Sequence, residues 1–286
     1  MLKYFFVSVL VIGIYSSCSK ENVSADSVAA STQLNIAYAA DPLQNMDIYL
    51  PANRSAFTTK VLVMIHGGAW SSGDKADFNA YVDTMKRRLS TYAVFNINYR
   101  LATGTSNIFP TQENDVKAAI EFIYSKRNEY LISDKYILLG ASAGAHLALL
   151  QSYKYSSPVK PKAVVDFFGP TDMVDMYNNP ASVFVSPALI ASLMGGTPTS
   201  NPIIYSQSSP INFVSAVSAM PTIMLHGGTD PLVRASQSVA LQTKLNTAGV
   251  INQYVYYPLG GHGDWDNATY FDAFNKVQAF ITVNVQ

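Results

Sequence analysis

The feature that most constrains the fold is a repeated alternation of short apolar runs with longer segments of helical spacing. The runs at 60–65 (KVLVMI) and 135–139 (KYILL) are almost entirely apolar. An unbroken apolar run suits a strand that is covered on both faces, as in a parallel sheet. Because strands and helices alternate along the chain, we predict an α/β fold with right-handed crossovers.

The predicted elements divide the chain from about residue 32 onward. The first two strands are separated by the turn pair Asp41-Pro42 and form an opening hairpin. The strands are predicted at 33–39, 44–50, 60–65, 92–98, 135–139, 162–168, 222–225 and 253–257. The helices are predicted at 77–90, 112–128, 143–155, 235–248 and 270–283.

The composition is that of a chain with a sizeable core. Apolar residues make up 49% and charged residues 13% of the sequence, which excludes global disorder. Nineteen basic residues balance nineteen acidic ones, so no excess positive field favours nucleic acid as a partner. A single cysteine excludes an intrachain disulfide, and four scattered histidines offer little material for a zinc site. We therefore expect chemistry that uses neither nucleic acid nor metal.

The N-terminal residues have the form of an export signal. A basic residue precedes an apolar run at 4–15 that is too short for a membrane-spanning helix, and two serines precede Cys18. This arrangement resembles a bacterial lipoprotein signal in which Cys18 is lipidated, and the alternatives are an ordinary cleaved signal or a buried helix. We expect an exported protein that is lipid-anchored to a bacterial membrane, on its periplasmic or cell-surface side. The predicted segments are a signal at 1–19, a tether at 20–31 and one folded domain at 32–286.

One interval, at about 170–219, fits the alternation less well. It contains six prolines and the pair Gly195-Gly196, so long regular elements are not expected there. Open α/β sheets bind their ligands beyond the carboxyl ends of the strands. We predict a small cap-like insertion between the sixth and seventh strands that lies over these ends.

The strongest chemical motif is GASAG at 140–144, between a predicted strand and a predicted helix. A G-x-S-x-G turn in this context holds its serine in a strained conformation, and the glycines let strand and helix approach closely. Ser142 would then project its hydroxyl above the sheet, and the N–H of Ala143 would point toward a developing oxyanion. The alternative is a glycine-serine turn without catalytic meaning.

A second motif, HGGAW at 66–70, follows the strand predicted at 60–65. Its glycines let backbone N–H groups turn inward, and in hydrolases with this motif the loop supplies a second oxyanion donor. We predict Gly68 and Ala69 as oxyanion donors beside Ala143. His66 is expected to brace the loop rather than to carry protons.

A serine nucleophile needs a base, and the base needs an acid that orients it. His262 lies in a glycine-rich loop after the last strand and is the predicted base, with His226 as the alternative. Asp230 follows the strand at 222–225 and is the predicted acid, with Asp172 as the alternative. The remaining histidine, at position 146, is expected to be packed within its helix.

Together these motifs resemble those of α/β-hydrolase esterases of the hormone-sensitive-lipase-like branch, and most of all bacterial carboxylesterases of the feruloyl-esterase and kynurenine-formamidase-like kind. The resemblance extends from about residue 32 to the C-terminus. It implies an α/β-hydrolase fold, with a mostly parallel twisted sheet and helices on both faces, and a triad of Ser142, Asp230 and His262. One departure is Ala69, where the lipase branch often has a third glycine; the added Cβ narrows the loop and disfavours bulky tertiary-alcohol esters. The motifs are HGGAW, NYRLA, GASAGAHLA, FFGPTDM, HGGTDPLV and GGHGDW.

The resemblance implies a serine carboxylesterase that forms an acyl-enzyme and needs no cofactor. We expect its substrates to be small or glycan-linked esters with short acyl groups, such as acetyl or feruloyl esters. The alternatives are an amidase or peptidase of the same fold and a non-catalytic, hydrolase-like binding lipoprotein. Because the base must be neutral, and an unperturbed histidine has a pKa of about 6.5, we expect activity to fall in mildly acidic buffer.

Overall fold

The computed structural model describes residues 28–286 and has an eight-stranded sheet at its centre. The strand order is β1-β2-β4-β3-β5-β6-β7-β8, and the first three strands in this order pair antiparallel while the rest pair parallel. The predicted export signal lies outside the described residues, as does most of the predicted tether. The strands are β1 (Ser31–Ala37), β2 (Asn45–Leu50), β3 (Val61–Ile65), β4 (Ala93–Ile97), β5 (Tyr136–Ala141), β6 (Ala163–Phe167), β7 (Thr222–Gly227) and β8 (Asn252–Tyr257).

The apolar runs form the central strands because these are covered on both faces. Every residue of β3, β4, β5 and β6 is buried, whereas the edge strand β1 has no buried residue. Two strands extend beyond their predicted ends, β5 to Ala141 and β7 to Gly227. The reason is pairing, since the last residues of β5 and β7 continue the ladders with β6 and β8.

Helices cover both faces of the sheet, as the sequence predicts. On one face α2, α4 and α8 contribute to a large apolar cluster, and on the other α1 and α9 contribute to a second cluster. Where the sequence predicts one helix at 112–128, the structure has two, because Lys126 leaves the helical conformation. The last helix begins three residues earlier than predicted, because the side chain of Asp266 accepts the N–H of Thr269 and caps it.

The bounds of the helices follow the chain order. A 3-10 turn at Lys75–Phe78 precedes the first helix. The helices are α1 (Asn79–Arg88), α2 (Thr111–Ser125), α3 (Arg127–Tyr130), α4 (Ala143–Lys154), α5 (Met173–Asn178), α6 (Pro187–Met194), α7 (Pro202–Gln207), α8 (Ser236–Thr247) and α9 (Asn267–Asn284). Within residues 28–286, no helix combines the length and the apolar character that crossing a membrane requires.

The interval between β6 and β7 contains short helices, in agreement with its proline content. The helices α5, α6 and α7 have six, eight and six residues, and a 3-10 turn follows them at Pro210–Phe213. Prolines occupy the first turns of α6 and α7, where a missing N–H costs no helical hydrogen bond. Gly195 ends α6 in the left-handed conformation.

Candidate active site

Ser142 lies at the sharp turn between β5 and α4 with a backbone φ of 55° and ψ of −124°. This conformation is strained for a residue with a side chain, and the N–H of Ser142 helps to hold it by donating to the carbonyl of Phe167 at 2.8 Å. A Cβ on Gly144 would overlap the carbonyl oxygen of Ile65, so the start of α4 lies directly against β3. The glycines of the motif therefore bring strand and helix together and leave the Ser142 hydroxyl at the carboxyl edge of the sheet.

His262 connects Ser142 to Asp230 through hydrogen bonds at both ring nitrogens. The Nε2 atom is 2.8 Å from the Ser142 Oγ, and the Nδ1 atom is 2.7 Å from Asp230 Oδ2. A carboxylate accepts but does not donate, so Nδ1 carries the proton and Nε2 is free to accept the serine proton. The structure thus brings together the three side chains that the sequence predicts as nucleophile, base and acid.

Asp230 is buried and accepts hydrogen bonds at both carboxylate oxygens. Its Oδ1 accepts the backbone N–H groups of Leu232 and Val233 at 2.8 and 2.9 Å. Its Oδ2 faces the His262 ring and is also 3.3 Å from the Nε2 of His226. Burial alone would raise the pKa of Asp230, but the hydrogen bonds from the two histidines and the backbone together hold it well below its usual range. Asp230 is therefore a carboxylate at neutral pH.

His226, the alternative base in the sequence analysis, lies behind Asp230 and does not contact Ser142. Its side chain is fully buried; its Nε2 is 2.9 Å from the carbonyl of Val233 and its Nδ1 is 2.7 Å from the Ser238 Oγ. The Nε2–H is thus shared between a carbonyl and the Asp230 carboxylate. Sequence reasoning missed this contact, although the spacing of four residues to Asp230 was a signal that the two could meet across one turn.

Asp172, the alternative acid, has a structural role in this fold. Its side chain caps α5 by accepting the N–H groups of Val174 and Asp175 at 2.9 and 3.0 Å. It forms no hydrogen bond with any histidine of the described residues. The carboxylate next to His262 is that of Asp230.

The loop after β3 has three consecutive residues with positive φ: Gly68 at 110°, Ala69 at 50° and Trp70 at 60°. A Cβ on Gly67 would lie 3.2 Å from the Ser142 Cβ, so this loop runs directly beside the serine. Within residues 28–286, the backbone N–H groups of Gly68, Ala69 and the helix-starting Ala143 have no hydrogen-bond acceptor. These are the three N–H groups that the sequence predicts as oxyanion donors.

His66 holds this loop through packing. Its ring stacks on Tyr99 with 4.4 Å between the ring centroids, and its Nδ1 is 2.7 Å from the carbonyl of Gly67. The Tyr99 hydroxyl donates to the carbonyl of His66 at 3.0 Å. Burial lowers the pKa of His66, so the ring is neutral. The bracing role predicted for His66 agrees with these contacts, and Tyr99 is a partner that the sequence analysis did not identify.

His146 is packed inside the protein, as expected. The indole N–H of Trp70 donates to its Nδ1 at 3.2 Å, and its Nε2 lies 2.7 Å from the carbonyl of Ser208. Burial lowers the pKa of His146 to about 4, which keeps the ring neutral. His146 therefore ties the loop after β3 to the insertion between β6 and β7.

A cavity of about 610 Å³ opens onto Ser142 and His262. The insertion forms one apolar wall, and the segment from the 3-10 turn into α1 forms another. The ring centroids of Phe168 and His262 are 4.6 Å apart, and the two rings are tilted by 54° to each other. The wall residues are Met176, Val185, Leu189 and Ile190 from the insertion and Phe78 and Tyr81 from the other side. In the described part of the chain, no group of three or more His, Cys, Asp or Glu side chains is arranged to hold a metal ion.

Comparison with known proteins places this chain in a family. The family model BD-FAE matches residues 46–245, which is more than half of the chain. Esterase LipQ of Mycobacterium tuberculosis is 29% identical over 71% of this chain and 49% of its own length. The chain spans about half the length of the curated relatives it matches.

Two solved structures share both the fold and detectable sequence similarity. A truncated carbohydrate esterase from gut microbiota has a TM-score of 0.73 and 27% identity, with 91% of this chain and 98% of that chain covered. A bifunctional GH43-CE protein from Bacteroides eggerthii has a TM-score of 0.74 and 26% identity, with 88% of this chain and 35% of that chain covered. The α/β-hydrolase fold predicted from the motifs is confirmed, and the chain belongs to the BD-FAE family.

Proposed function

We propose that this protein is a serine carboxylesterase that works through an acyl-enzyme intermediate. The observation that carries the proposal is the hydrogen-bonded path from the Ser142 hydroxyl through His262 to the Asp230 carboxylate. Beside this path lie three backbone N–H groups without an acceptor in the described residues. Acyl transfer requires an activated hydroxyl and N–H donors that are available to an oxyanion.

In the first half of the reaction Ser142 attacks the acyl carbon. His262 Nε2 takes the hydroxyl proton as the bond from Oγ to the carbonyl carbon forms, and Asp230 stabilises the resulting imidazolium. The N–H groups of Gly68, Ala69 and Ala143 donate to the oxyanion. When the tetrahedral intermediate collapses, the bond to the alcohol oxygen breaks and His262 returns its proton to that oxygen.

In the second half a water molecule takes the place of the alcohol. His262 removes a proton from the water as its oxygen attacks the acyl carbon, and a second tetrahedral intermediate forms against the same N–H groups. Collapse of this intermediate releases the carboxylic acid and returns the proton to the Ser142 oxygen. The side chains are then in their starting state.

The proposed substrates are carboxylic esters, and the candidate acyl groups are the short acetyl group and the aromatic feruloyl group. The apolar wall of the insertion supports an acyl group on that side of Ser142. Relatives named as an esterase and as a carbohydrate esterase support ester hydrolysis, on small molecules or on glycans.

The test is a panel of p-nitrophenyl esters of increasing acyl length together with the matching anilides. We expect Ser142-dependent release of p-nitrophenol, fastest for short acyl groups, and slow release of nitroaniline. The control is Ser142→Ala, which should fold with an unchanged melting temperature and lose turnover. Anilides cleaved as fast as esters would favour the amidase alternative. No turnover and no acylation of Ser142 by any ester would favour a binding protein.

We also propose that the protein is exported and lipid-anchored through Cys18, which lies outside the described residues. The support is the sequence pattern of the first 19 residues alone. Metabolic labelling with an alkyne fatty acid in a bacterial host should mark the full-length protein and not the Cys18→Ser variant. Equal labelling of the two, or labelling of neither, would contradict the anchor.

A further inference from the structure

A second groove, of about 600 Å³, adjoins the cavity at Ser142. Tyr81 and Gly263 line both spaces, and Gly263 is the residue directly after His262. The Tyr270 hydroxyl donates to the carbonyl of Gly263 at 2.6 Å and lies 2.6 Å from the Tyr81 hydroxyl. The groove therefore begins at the loop that carries His262 and continues between α1 and α9.

Two arginines of α1, Arg87 and Arg88, line this groove without a carboxylate partner in the described residues. No Asp or Glu oxygen of residues 28–286 lies within 4.0 Å of either guanidinium, whereas the neighbouring Lys86 is 3.7 Å from Asp83. A guanidinium is always charged, so the groove carries two cations that form no direct ion pair with a carboxylate of residues 28–286. The chain as a whole has no net charge, so this positive charge is a local property of the groove.

Arg88 is held in position, which favours recognition of a ligand of defined shape. Its Nη1 donates to the side-chain oxygens of Asn275 and Gln278 at 2.7 and 3.2 Å. Its guanidinium also lies over the ring of Phe271, with 5.2 Å to the centroid. Phe271 is 65% exposed, so its ring offers an apolar face beside the charge.

The second arginine of the groove, Arg87, is more open to solvent. Its side chain is exposed, and its guanidinium donates to the Thr84 hydroxyl at 3.2 Å.

The chemistry of the reaction determines which half of an ester would reach this groove. His262 must lie beside the alcohol oxygen, because it returns a proton to that oxygen when the bond breaks. The alcohol half therefore leaves Ser142 on the side of His262, and the groove that shares Gly263 and Tyr81 with the cavity lies next to that residue.

We propose that the groove binds the alcohol half of the ester and selects alcohols that carry a carboxylate. The planar guanidinium group matches a carboxylate in shape and charge, and the exposed Phe271 ring can cover the carbon skeleton beside it. This inference rests on the proposed esterase function and names the class of alcohol that the site accepts.

The test uses acetyl esters that differ in the charge of the alcohol half. The anionic esters are 4-acetoxybenzoate and the longer 4-acetoxycinnamate, and the neutral ones are their methyl esters. The leaving groups differ in intrinsic reactivity, so the ratio of kcat/KM between anionic and neutral ester is compared across variants. In Arg87→Gln/Arg88→Gln we expect this ratio to fall about tenfold for at least one pair, mostly through the KM of the anionic ester, with a smaller change in kcat/KM of the neutral ester.

The matched control is Lys86→Gln, which removes one cation from the same helix but not from the groove. Lys86→Gln should leave the ratio of kcat/KM between anionic and neutral ester unchanged. A similar fall in this variant would show that the ratio depends on the total positive charge of α1 and not on the groove, which would overturn the groove assignment. Because Arg88 contacts α9, Arg87→Gln alone is measured as well, and melting temperatures verify that each variant folds. In this single variant we expect a smaller fall in the same direction.

The outcomes separate this inference from the proposed function. Ser142-dependent hydrolysis with ratios that are the same in wild type and in both arginine variants would overturn the groove assignment alone. Equal losses for anionic and neutral esters would also overturn it, because they indicate a structural role. Hydrolysis that survives Ser142→Ala, or no turnover and no acylation of Ser142 with any acetyl or feruloyl ester, would overturn the proposed function and this inference with it.

Discussion

The neighbouring strands β6 and β7 each lead to one buried carboxylate, and the two carboxylates have opposite surroundings. Asp166, in β6, accepts one hydrogen bond, from the N–H of Gly169 to Oδ1 at 2.7 Å, while its buried Oδ2 has no partner in the described residues. Asp230, after β7, accepts backbone N–H groups at one oxygen and faces two histidines with the other. Burial raises the pKa of Asp166 to about 7, whereas the hydrogen bonds of Asp230 lower its pKa despite burial.

The comparison shows that burial alone does not determine whether a carboxyl group is charged. Desolvation disfavours the charged form in both cases, and the number of hydrogen-bond donors decides the outcome. Asp230 lies in a turn whose N–H groups converge on it, so it keeps the charge that stabilises a protonated imidazole. Asp166 lies within a strand, where the neighbouring N–H groups are used by the sheet. We expect the carboxylate of Asp230 to contribute to the reaction and that of Asp166 to affect stability.

The largest expected difference is in activity. Asp230→Asn removes the charge and favours the wrong tautomer of His262, so we expect kcat/KM for p-nitrophenyl acetate to fall by about 10⁴-fold. Asp166→Asn keeps the shape of the side chain, and we expect kcat/KM within about threefold of wild type. Comparable losses in the two variants would contradict the assignment of separate roles.

The second difference is in the pH dependence of stability. The pKa of Asp166 is about 7 in the folded protein and about 4 in an unfolded chain, so its stabilising effect is fully present below about pH 4 and is lost as the pH rises through 7. We expect the free energy of unfolding to fall by up to about 4 kcal/mol over this interval. Urea denaturation at several pH values should show that Asp166→Asn removes this slope.

Asp230 provides the matched control for that measurement. Its pKa is lowered, so its contribution to stability is present above about pH 4 and is lost as the pH falls toward its folded pKa. Asp230→Asn should therefore change the slope below about pH 4. An unchanged slope between 4 and 7 in Asp166→Asn would show that another group causes it.

The third difference concerns His226, which donates toward Asp230 from behind. His226→Leu removes a buried donor to a charged acceptor, so we expect kcat to fall about tenfold or more. His226→Gln can place an amide N–H near the same position and should recover part of this loss. The measurement is kcat with p-nitrophenyl acetate, with melting temperatures recorded for both variants. Equal kcat values in the two variants, both below that of wild type, would show that the N–H of His226 does not orient Asp230.

The smallest effect on kcat is expected at Ser238, which contacts His226 but not Asp230. The Ser238 hydroxyl is 2.7 Å from the Nδ1 of His226 and fixes the orientation of that ring. Ser238→Ala should lower kcat only about threefold, because the ring stays packed and keeps its contact with the Val233 carbonyl. A loss of kcat as large as that of His226→Leu would contradict this, because it would show that His226 cannot position Asp230 without the Ser238 hydroxyl.

Much of the fold follows from local patterns in the sequence. Continuous apolar runs identify the central strands within about two residues, since these strands are buried on both faces. Motifs at the ends of β5, β7 and β8 identify Ser142, Asp230 and His262, because parallel strands bring their carboxyl ends to one edge. The apolar spacing predicts the start of α9 three residues too late, because this spacing begins after the cap formed by Asp266.

Other features depend on contacts between distant segments and could not be predicted from local patterns. Whether His226 faces Ser142 or Asp230 depends on the path of the turn after β7, which its residue types do not determine. The groove with Arg87 and Arg88 requires α1 and α9 to lie side by side, and nearly 180 residues separate these helices in the chain. That neither arginine has a carboxylate partner among residues 28–286 can be seen only in the three-dimensional structure.

The most direct test of the account is covalent labelling of the nucleophile. The full-length protein is incubated with a fluorophosphonate ester, and intact-mass and peptide mass spectrometry locate the adduct. We expect one adduct per chain, on the peptide that contains Ser142, with loss of esterase activity in proportion to labelling and no adduct in folded Ser142→Ala. An adduct on another residue, or full activity after complete labelling of Ser142, would contradict this expectation.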